Sequence, residues 1–197
     1  MLNEKLKNHH IILASGSPRR QEFFKNLNLD FEIRLKPIEE NYPAELTHFH
    51  ISNYLAELKS IPYKKELKPN DILITSDTIV WHNNKALGKP TDATDAFNII
   101  KSLSNATHEV ITSVCFTTNS FQKTIHDITK VTFKALTNEE IEFYIKTAKP
   151  FDKAGAYGIQ EWIGQIGVEK IEGSYFNVMG LPTHLVYKTL IDIANQA

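Results

Sequence analysis

The chain has 197 residues and a formal net charge of −1, with 42% hydrophobic and 23% charged residues. These proportions are ordinary for a globular protein with a real core, and the length suits one domain, so we assign residues 1–197 to a single domain. A charge this close to zero recruits neither nucleic acid nor an anionic membrane, and neither is expected as a partner. Any anionic ligand must therefore be held by local clusters of cations.

The first ten residues are polar and charged, without the apolar core of a signal peptide. No later apolar run is long enough to span a bilayer, so we expect a cytoplasmic protein. The single cysteine, Cys115, excludes an intramolecular disulfide.

In the first half of the chain, predicted strands and helices alternate. They are a buried strand at 10–15, a helix at 19–27, a strand at 31–35, a helix at 47–60, a strand at 71–76 and a hairpin at 78–87. Pro18 suits the first turn of its helix, where a missing N–H costs nothing. Asn83 and Asn84 suit the tight turn of the hairpin.

In the second half, predicted strands cluster. The predicted elements are a helix at 92–103, strands at 109–117 and 123–134, a helix from 137 through 145, and a final helix at 182–194 after a glycine-rich segment at 155–173. Thr137 and Glu140 match a capping box, and Asp92 or Thr91 suits an N-cap. This order of elements predicts an α/β fold with a mixed central sheet and flanking helices.

A turn rich in small residues follows the first predicted strand and has the sequence ASGSPRR at 14–20. Such a strand-to-helix turn offers backbone N–H groups, serine hydroxyls and the positive end of the helix dipole to one oxyanion. Arg19 and Arg20 add planar forks for phosphate oxygens. We interpret the turn as a phosphate site. The alternative is a surface turn with solvated arginines, because the chain has no P-loop and no GxGxxG motif.

Asp77 lies in the sequence SDT, at the end of a predicted apolar strand. In α/β sheets a carboxylate at that point faces the crevice where ligands bind. It suits a ligand of Mg²⁺ or the acceptor of a proton from an attacking water. The alternative is an aspartate that caps a turn.

Two later segments have compositions that suit ligand binding. Lys89 lies in the tight turn GKP, and the segment 151–160 has the sequence FDKAGAYGIQ. Its small residues allow close approach of the backbone, Tyr157 offers an aromatic face, and the amide of Gln160 reads donor and acceptor positions on a base. Structural turns explain each segment alone. Five cationic residues of this near-neutral chain, together with Asp77, suit a polyphosphate and its metal. They are Arg19, Arg20, Lys59, Lys89 and Lys153.

These segments, in this order, resemble the Maf family of nucleoside triphosphate pyrophosphatases. The matching pieces are LASGSPRRQEFF (13–24), SDTIV (76–80), LGKP (87–90), DKAGAYGIQ (152–160) and NVMGLP (177–182). The resemblance implies two lobes around a deep cleft, in a fold related to the inosine triphosphate pyrophosphatases. It also implies hydrolysis at the α-phosphorus with Mg²⁺ or Mn²⁺. Homodimers are common among such enzymes.

The resemblance also implies a set of site residues: Ser15, Ser17, Arg19, Arg20, Glu40, Lys59, Asp77, Thr78, Lys89, Lys153 and Gln160. The catalytic group among them comprises Arg19, Glu40, Lys59, Asp77 and Lys89. Asp77 matches the proton acceptor, and Thr78 and Gln160 match positions that set base preference. Asp77 and Glu40 are the candidate metal ligands, although adjacent Glu39 leaves the register of the acidic position open.

The segment 152–160 resembles the branch of the family that prefers dTTP and UTP, including modified pyrimidines. The sequence departs from the pattern of this family at two places. Ser113 stands where glycine is frequent, and we expect a packing change there. Glu161-Trp162 replaces the common glycine after Gln160, which bears on the base pocket. The alternatives are the same reaction on 7-methyl-GTP or a damaged purine nucleotide, and a non-catalytic role in cell division.

Overall fold

The computed structural model of the protein describes residues 1–195. The helices are α1 (Leu2–Leu6), α2 (Pro18–Asn26), α3 (Phe49–Leu58), α4 (Ala93–Leu103), α5 (Asn138–Ala148), α6 (Trp162–Gly167), α7 (Tyr175–Val178) and α8 (Thr183–Ala194). The strands are β1 (His10–Leu13), β2 (Phe31–Ile33), β3 (Asp71–His82), β4 (Lys85–Leu87), β5 (Thr107–Thr117), β6 (Gln122–Phe133) and β7 (Val168–Glu172). Short 3₁₀ helices occupy Ile61–Glu66 and Ala154–Ala156. None of the helices described here is long and apolar enough to cross a membrane.

Across residues 1–195 the strands form one mixed sheet in the order β2-β1-β3-β5-β6-β7, with β4 paired to β3. β1 runs parallel to both β2 and β3. The pairs β3–β4 and β6–β7 are antiparallel. The predicted α/β class with a mixed central sheet and flanking helices is confirmed.

The main difference from the predicted elements concerns β3. The predicted strand at 71–76 and the first arm of the hairpin form one continuous strand through Asp77. Strand pairing on the sheet overrides the break that a charged residue suggests. The hairpin turn is confirmed, because Asn83 and Asn84 have φ values of 49° and 58°, in the left-handed region that such turns require.

Helix starts follow the predicted capping chemistry. The Oδ1 of Asp92 accepts from the N–H of Asp95 at 2.9 Å at the start of α4. Thr137 and Glu140 form both bonds of the capping box at the start of α5. The glycine-rich segment 155–173, which had no assigned structure, contains α6 and β7.

The chain divides into two compact units. The first comprises 1–77, 112–127 and the chain from Gly180 onward, and the second comprises 78–111 and 128–179. The three long strands β3, β5 and β6 each contribute residues to both units. The assignment of 1–197 to a single domain stays a prediction.

In the first unit, α3 is bonded to two strands. The buried hydroxyl of Thr75 on β3 donates to the carbonyl of Ala56 at 2.6 Å. On β5, the Oγ of Ser113 donates to the Oδ1 of Asn53 at 2.7 Å and lies 2.7 Å from the Oγ of Ser52. Ser113 is fully buried, so its hydroxyl is part of the packing between α3 and β5. The packing change expected at this position stays a prediction.

In the second unit, an apolar core surrounds Ile100, Val131, Tyr144 and Ile163. A buried polar pair lies within this unit, where the Nε2 of His108 and the hydroxyl of Tyr157 are 2.7 Å apart. Burial, with a smaller contribution from His82, lowers the pKa of His108 to about 3. The imidazole is therefore neutral in the folded protein at neutral pH.

A chain of polar side chains joins β1, β2 and β3 near their first residues. Asp71 is buried, accepts from the backbone N–H of Lys68 at 2.9 Å and lies 2.9 Å from the Nδ1 of His10. The Nε2 of His10 lies 3.3 Å from the Oε2 of Glu32. Arg34 donates two hydrogen bonds of 2.8 Å to the Glu32 carboxylate. Burial alone would raise the pKa of Asp71, but the bonds from Lys68 and His10 outweigh it and lower the pKa.

We expect Asp71→Asn to lower the free energy of unfolding by about 1–3 kcal/mol at pH 7, because hydrogen bonds to a buried charged group are lost. The folded-state pKa of Asp71 is depressed, so its contribution is present above the unfolded-state pKa and is lost as pH falls through the folded-state pKa. Urea unfolding at several pH values measures this difference, with Asp30→Asn at an exposed position as the control. A difference that keeps its full size at pH 3 would contradict the prediction.

Candidate functional site

The predicted phosphate turn connects β1 to α2. Ser15 is buried, and its Oγ accepts from the N–H of Ser17 at 3.3 Å. The side chain of Gln21 donates to the carbonyl of Ser15 at 3.1 Å and holds the turn against the helix. Ser17 is the N-cap of α2 and Pro18 begins the helix, yet the Ser17 side chain makes no capping bond. The N-cap side chain accepts such a bond in α4, α5 and α7, whereas α1, α3, α6 and α8 lack one, as α2 does.

Arg19 and Arg20 lie in the first turn of α2, and both are half-buried. The guanidinium of Arg20 donates to the backbone carbonyls of Gly180 at 2.8 Å and Ser76 at 3.0 Å. Burial lowers the pKa of Arg20, while the nearby Asp77 acts in the opposite sense. Arg20 therefore anchors the backbone beside Asp77 and places its charge near that carboxylate.

Lys59, Asp77 and Glu40 form a triad of charges in the first unit. The Nζ of Lys59 lies 2.7 Å from the Oδ1 of Asp77 and 3.0 Å from the Oε2 of Glu40. The side chain of Asp77 is 9% exposed and that of Lys59 is 15% exposed, whereas that of Glu40 is 46% exposed. One ammonium group thus joins a buried carboxylate to one near the surface.

The order of residues along α3 and β3 explains this triad. Lys59 is the C-cap of α3, three residues beyond Ala56. Asp77 lies two residues beyond Thr75 on β3, so the two side chains share one face of the strand. The bond between Thr75 and Ala56 therefore fixes the end of α3 beside Asp77.

Of the two adjacent glutamates, Glu40 contacts Lys59, while Glu39 accepts a bond from the amide of Asn41 at 3.4 Å. Among the described residues 1–195, no group of three or more His, Cys, Asp or Glu side chains is arranged to hold a metal ion. The carboxylates of Asp77 and Glu40 both contact the Lys59 ammonium group.

The other predicted residues lie in the second unit. Lys89 is exposed in its turn, and the carbonyl of the preceding Gly88 accepts from the N–H of Gly155 at 3.0 Å. Gly155 has φ +69°, and a Cβ added there would lie 2.6 Å from a methyl carbon of Val80. The glycine therefore permits contact between the GKP turn, the segment 152–160 and β3.

Lys153 is the most buried of the predicted cations. Its side chain is 10% exposed, and its Nζ lies 2.8 Å from the Oδ1 of Asp152 and 3.1 Å from the Oε1 of Glu161. Thr78 and Gln160 are both half-buried. Tyr157 differs from its expected place: its ring packs in the core against Phe133, with centroids 5.0 Å apart, so it offers no aromatic face to a ligand.

Sequence reasoning missed several residues that support the site. Thr75 positions α3, and Tyr144 on α5 donates to Glu161. The only available signal for Thr75 was its spacing of two from Asp77. Tyr144 had no signal, because an apolar helix face explains it equally well.

Comparisons with known proteins show which family the sequence resembles over nearly its whole length. A family model described as Maf-like protein matches residues 10–193. A protein of Flavobacterium johnsoniae named dTTP/UTP pyrophosphatase is 67% identical over 190 residues, which are 96% of this chain and 98% of the relative. A protein of the same name from Christiangramia forsetii is 57% identical over 195 residues, which are 99% of this chain and 100% of the relative.

Among solved structures, the Ham1 protein of Staphylococcus aureus superposes with a TM-score of 0.51 at 16% identity, covering 93% of this chain and 99% of that chain. At this identity the likeness concerns the fold alone.

The shared ammonium group makes the triad a coupled unit, and a double-mutant cycle tests the coupling. We expect Lys59→Met to lower the free energy of unfolding by about 1–3 kcal/mol, because it leaves a mostly buried carboxylate without its partner. Asp77→Asn should cost less in the Lys59→Met background than in the wild type. Urea unfolding of the four proteins measures the cycle. Strict additivity would show that the two side chains do not stabilise one another.

Proposed function

The chain belongs to the family of Maf-like proteins, and we propose that it hydrolyses nucleoside triphosphates, dTTP and UTP above others, to the monophosphate and pyrophosphate. The observation that carries the proposal is the similarity over nearly the whole chain to relatives named dTTP/UTP pyrophosphatase. The charged triad and the phosphate turn supply suitable chemistry for attack at the α-phosphorus.

In this proposal the phosphate turn binds the triphosphate. The hydroxyls of Ser15 and Ser17 and the first turn of α2 face phosphate oxygens, and Arg19 stabilises charge that develops at the reacting phosphorus. Lys89 in its constrained turn adds a second cation.

Asp77 is the proposed acceptor of the proton from the attacking water. Its low exposure and its bond to Lys59 give the carboxylate a defined orientation, which is the main requirement in phosphoryl transfer, where positioning and electrostatics dominate catalysis. Lys59 also holds Glu40 near the same point. Arg20 donates to the carbonyl of Ser76 and so fixes the backbone next to Asp77.

Asp77 and Glu40 are the proposed protein ligands of a divalent cation, Mg²⁺ or Mn²⁺. When bound, such an ion neutralises charge on the phosphates and orients the leaving pyrophosphate. Two carboxylates are enough for Mg²⁺, which commonly keeps several waters and substrate oxygens as its remaining ligands. Thr78, Lys153 and Gln160 are the proposed contacts to the nucleoside end of the substrate.

The first experiment is incubation of the purified protein with Mg²⁺ and dTTP, UTP, CTP, 7-methyl-GTP or ITP, followed by ³¹P identification of the products. Monophosphate and pyrophosphate from dTTP and UTP support the proposal. The same products from a purine nucleotide alone would keep the reaction and overturn the base preference. No turnover with any nucleotide, with Mn²⁺ as well, would overturn the enzymatic role and favour the role in cell division.

Asp77→Asn should reduce kcat for dTTP by about 10²–10⁴-fold, because an amide cannot accept the proton from water. Nucleotide binding should change far less, because the phosphate turn and Glu40 are intact and the carbonyl oxygen of asparagine can still ligate a cation. Pyrophosphate release measures kcat, and calorimetry with a non-hydrolysable dTTP analogue measures binding. Asp30→Asn is the matched control. Equal losses of binding and turnover would make Asp77 a binding residue.

Removal of divalent cations with EDTA should abolish turnover, and added Mg²⁺ or Mn²⁺ should restore it. Glu40→Gln should raise the Mg²⁺ concentration needed for half-maximal rate, because the site loses one anionic oxygen donor. Initial rates across a Mg²⁺ titration measure this shift. Glu39→Gln, which removes the adjacent charge, is the control, and equal shifts in both variants would argue against direct ligation by Glu40.

A further inference from the structure

Lys153 depends on Glu161 for its charge compensation. The Lys153 ammonium is mostly buried, and a buried charge is stable only when it is paired. Its two carboxylate neighbours differ in exposure, since the side chain of Asp152 is 69% exposed and that of Glu161 is 25% exposed. Solvent screens the pair with Asp152 more strongly. Asp152 is the nearer carboxylate, at 2.8 Å against 3.1 Å, and Glu161 is the less screened of the two partners.

Glu161 is in turn fixed by Tyr144. The hydroxyl of Tyr144, a fully buried residue of α5, donates to the Oε2 of Glu161. The same hydroxyl accepts from the backbone N–H of Gly158 at 3.0 Å. Burial, reinforced by the bond to Glu161, raises the pKa of Tyr144 well above its ordinary value, so the phenol stays protonated and remains a donor. These bonds connect Lys153, Gly158 and Glu161 of the segment 153–161 through the hydroxyl of Tyr144 and the carboxylate of Glu161.

The side chain of Gln160 shares a neighbour with Glu161. A Cβ added at Gly158 would lie 2.8 Å from the Cδ of Glu161 and 3.0 Å from both the Oε1 of Glu161 and the Nε2 of Gln160. The amide nitrogen of Gln160 and the carboxylate of Glu161 therefore cover the same glycine. The carboxylate of Glu161 is an acceptor. It therefore favours the orientation of Gln160 in which the amide nitrogen, a donor, lies near Gly158 and the amide oxygen points away.

A glutamine amide distinguishes pyrimidines only when its orientation is fixed. Uracil and thymine present an acceptor at O4 and a donor at N3, and cytosine presents the reverse pattern. An amide that can rotate by half a turn satisfies both patterns, because it exchanges its donor and acceptor. An amide held in one orientation leaves a polar group unpaired with the wrong base, and that mismatch produces discrimination.

We propose that Glu161 is a positioning residue for base recognition, holding Lys153 directly and fixing the orientation of the Gln160 amide through the packing at Gly158. This inference rests on the proposed hydrolysis of dTTP and UTP.

The test compares UTP with CTP in three variants. Glu161→Ala should reduce the ratio of kcat/KM for UTP to that for CTP by about tenfold, mainly through KM, with kcat for UTP nearly unchanged. The ratio for Glu161→Gln should lie between those of Glu161→Ala and the wild type. The new amide oxygen can still accept from Tyr144, but the neutral side chain cannot compensate the charge of Lys153. Tyr144→Phe should lower the ratio in the same direction.

The control is Glu142→Gln, which removes a carboxylate from an exposed position on α5 and should leave the ratio at its wild-type value. A fall in Tm with an unchanged ratio in Glu161→Ala would overturn the inference and leave a structural role. If the wild type hydrolyses neither nucleotide, the proposed function fails. Calorimetric Kd values for UTP and CTP then decide the inference, because their ratio either falls in Glu161→Ala or does not.

Discussion

One ammonium group organises the charged residues of the first unit. Lys59 lies between a buried carboxylate on β3 and a surface carboxylate that precedes α3, at 2.7 and 3.0 Å. The position of this lysine depends on hydrogen bonds from α3 to two strands, made through Thr75 and Ser113. The polar contacts that pack α3 on the sheet thus also position the charges of the site. A substitution that weakens these contacts is therefore expected to change both the geometry of the site and the local stability.

Polar networks have a comparable function in the second unit. Lys153, Glu161 and Tyr144 form a connected set in which each buried polar group has a partner. Fully satisfied networks of this kind specify one arrangement of a loop, because any other arrangement leaves a buried group unpaired. Small glycine-rich segments have little intrinsic preference for one conformation, so the network supplies the rigidity that the backbone lacks.

Local chemistry predicted much of the fold and part of the site. The capping residues Asp92 and Thr137, the turn at Asn83 and the mixed sheet were predictable because each depends on neighbours in sequence or on hydrophobic period. Other features depend on distant parts of the chain. The choice of Glu40 over Glu39 requires the position of Lys59, and the burial of Tyr157 requires the core around it. Contacts across long sequence separations leave no periodic signal.

The steric contact between Gly155 and Val80 limits how the glycine-rich segment can be exchanged. With a hypothetical Cβ only 2.6 Å from a valine methyl, the loop and β3 form a complementary pair. A loop transplanted from a relative of different nucleotide preference would fit this scaffold only if it has glycine at the same point, because Val80 leaves no room for a Cβ. Engineering of new substrate preference is thereby directed to Gln160 and Glu161, whose side chains are half-buried.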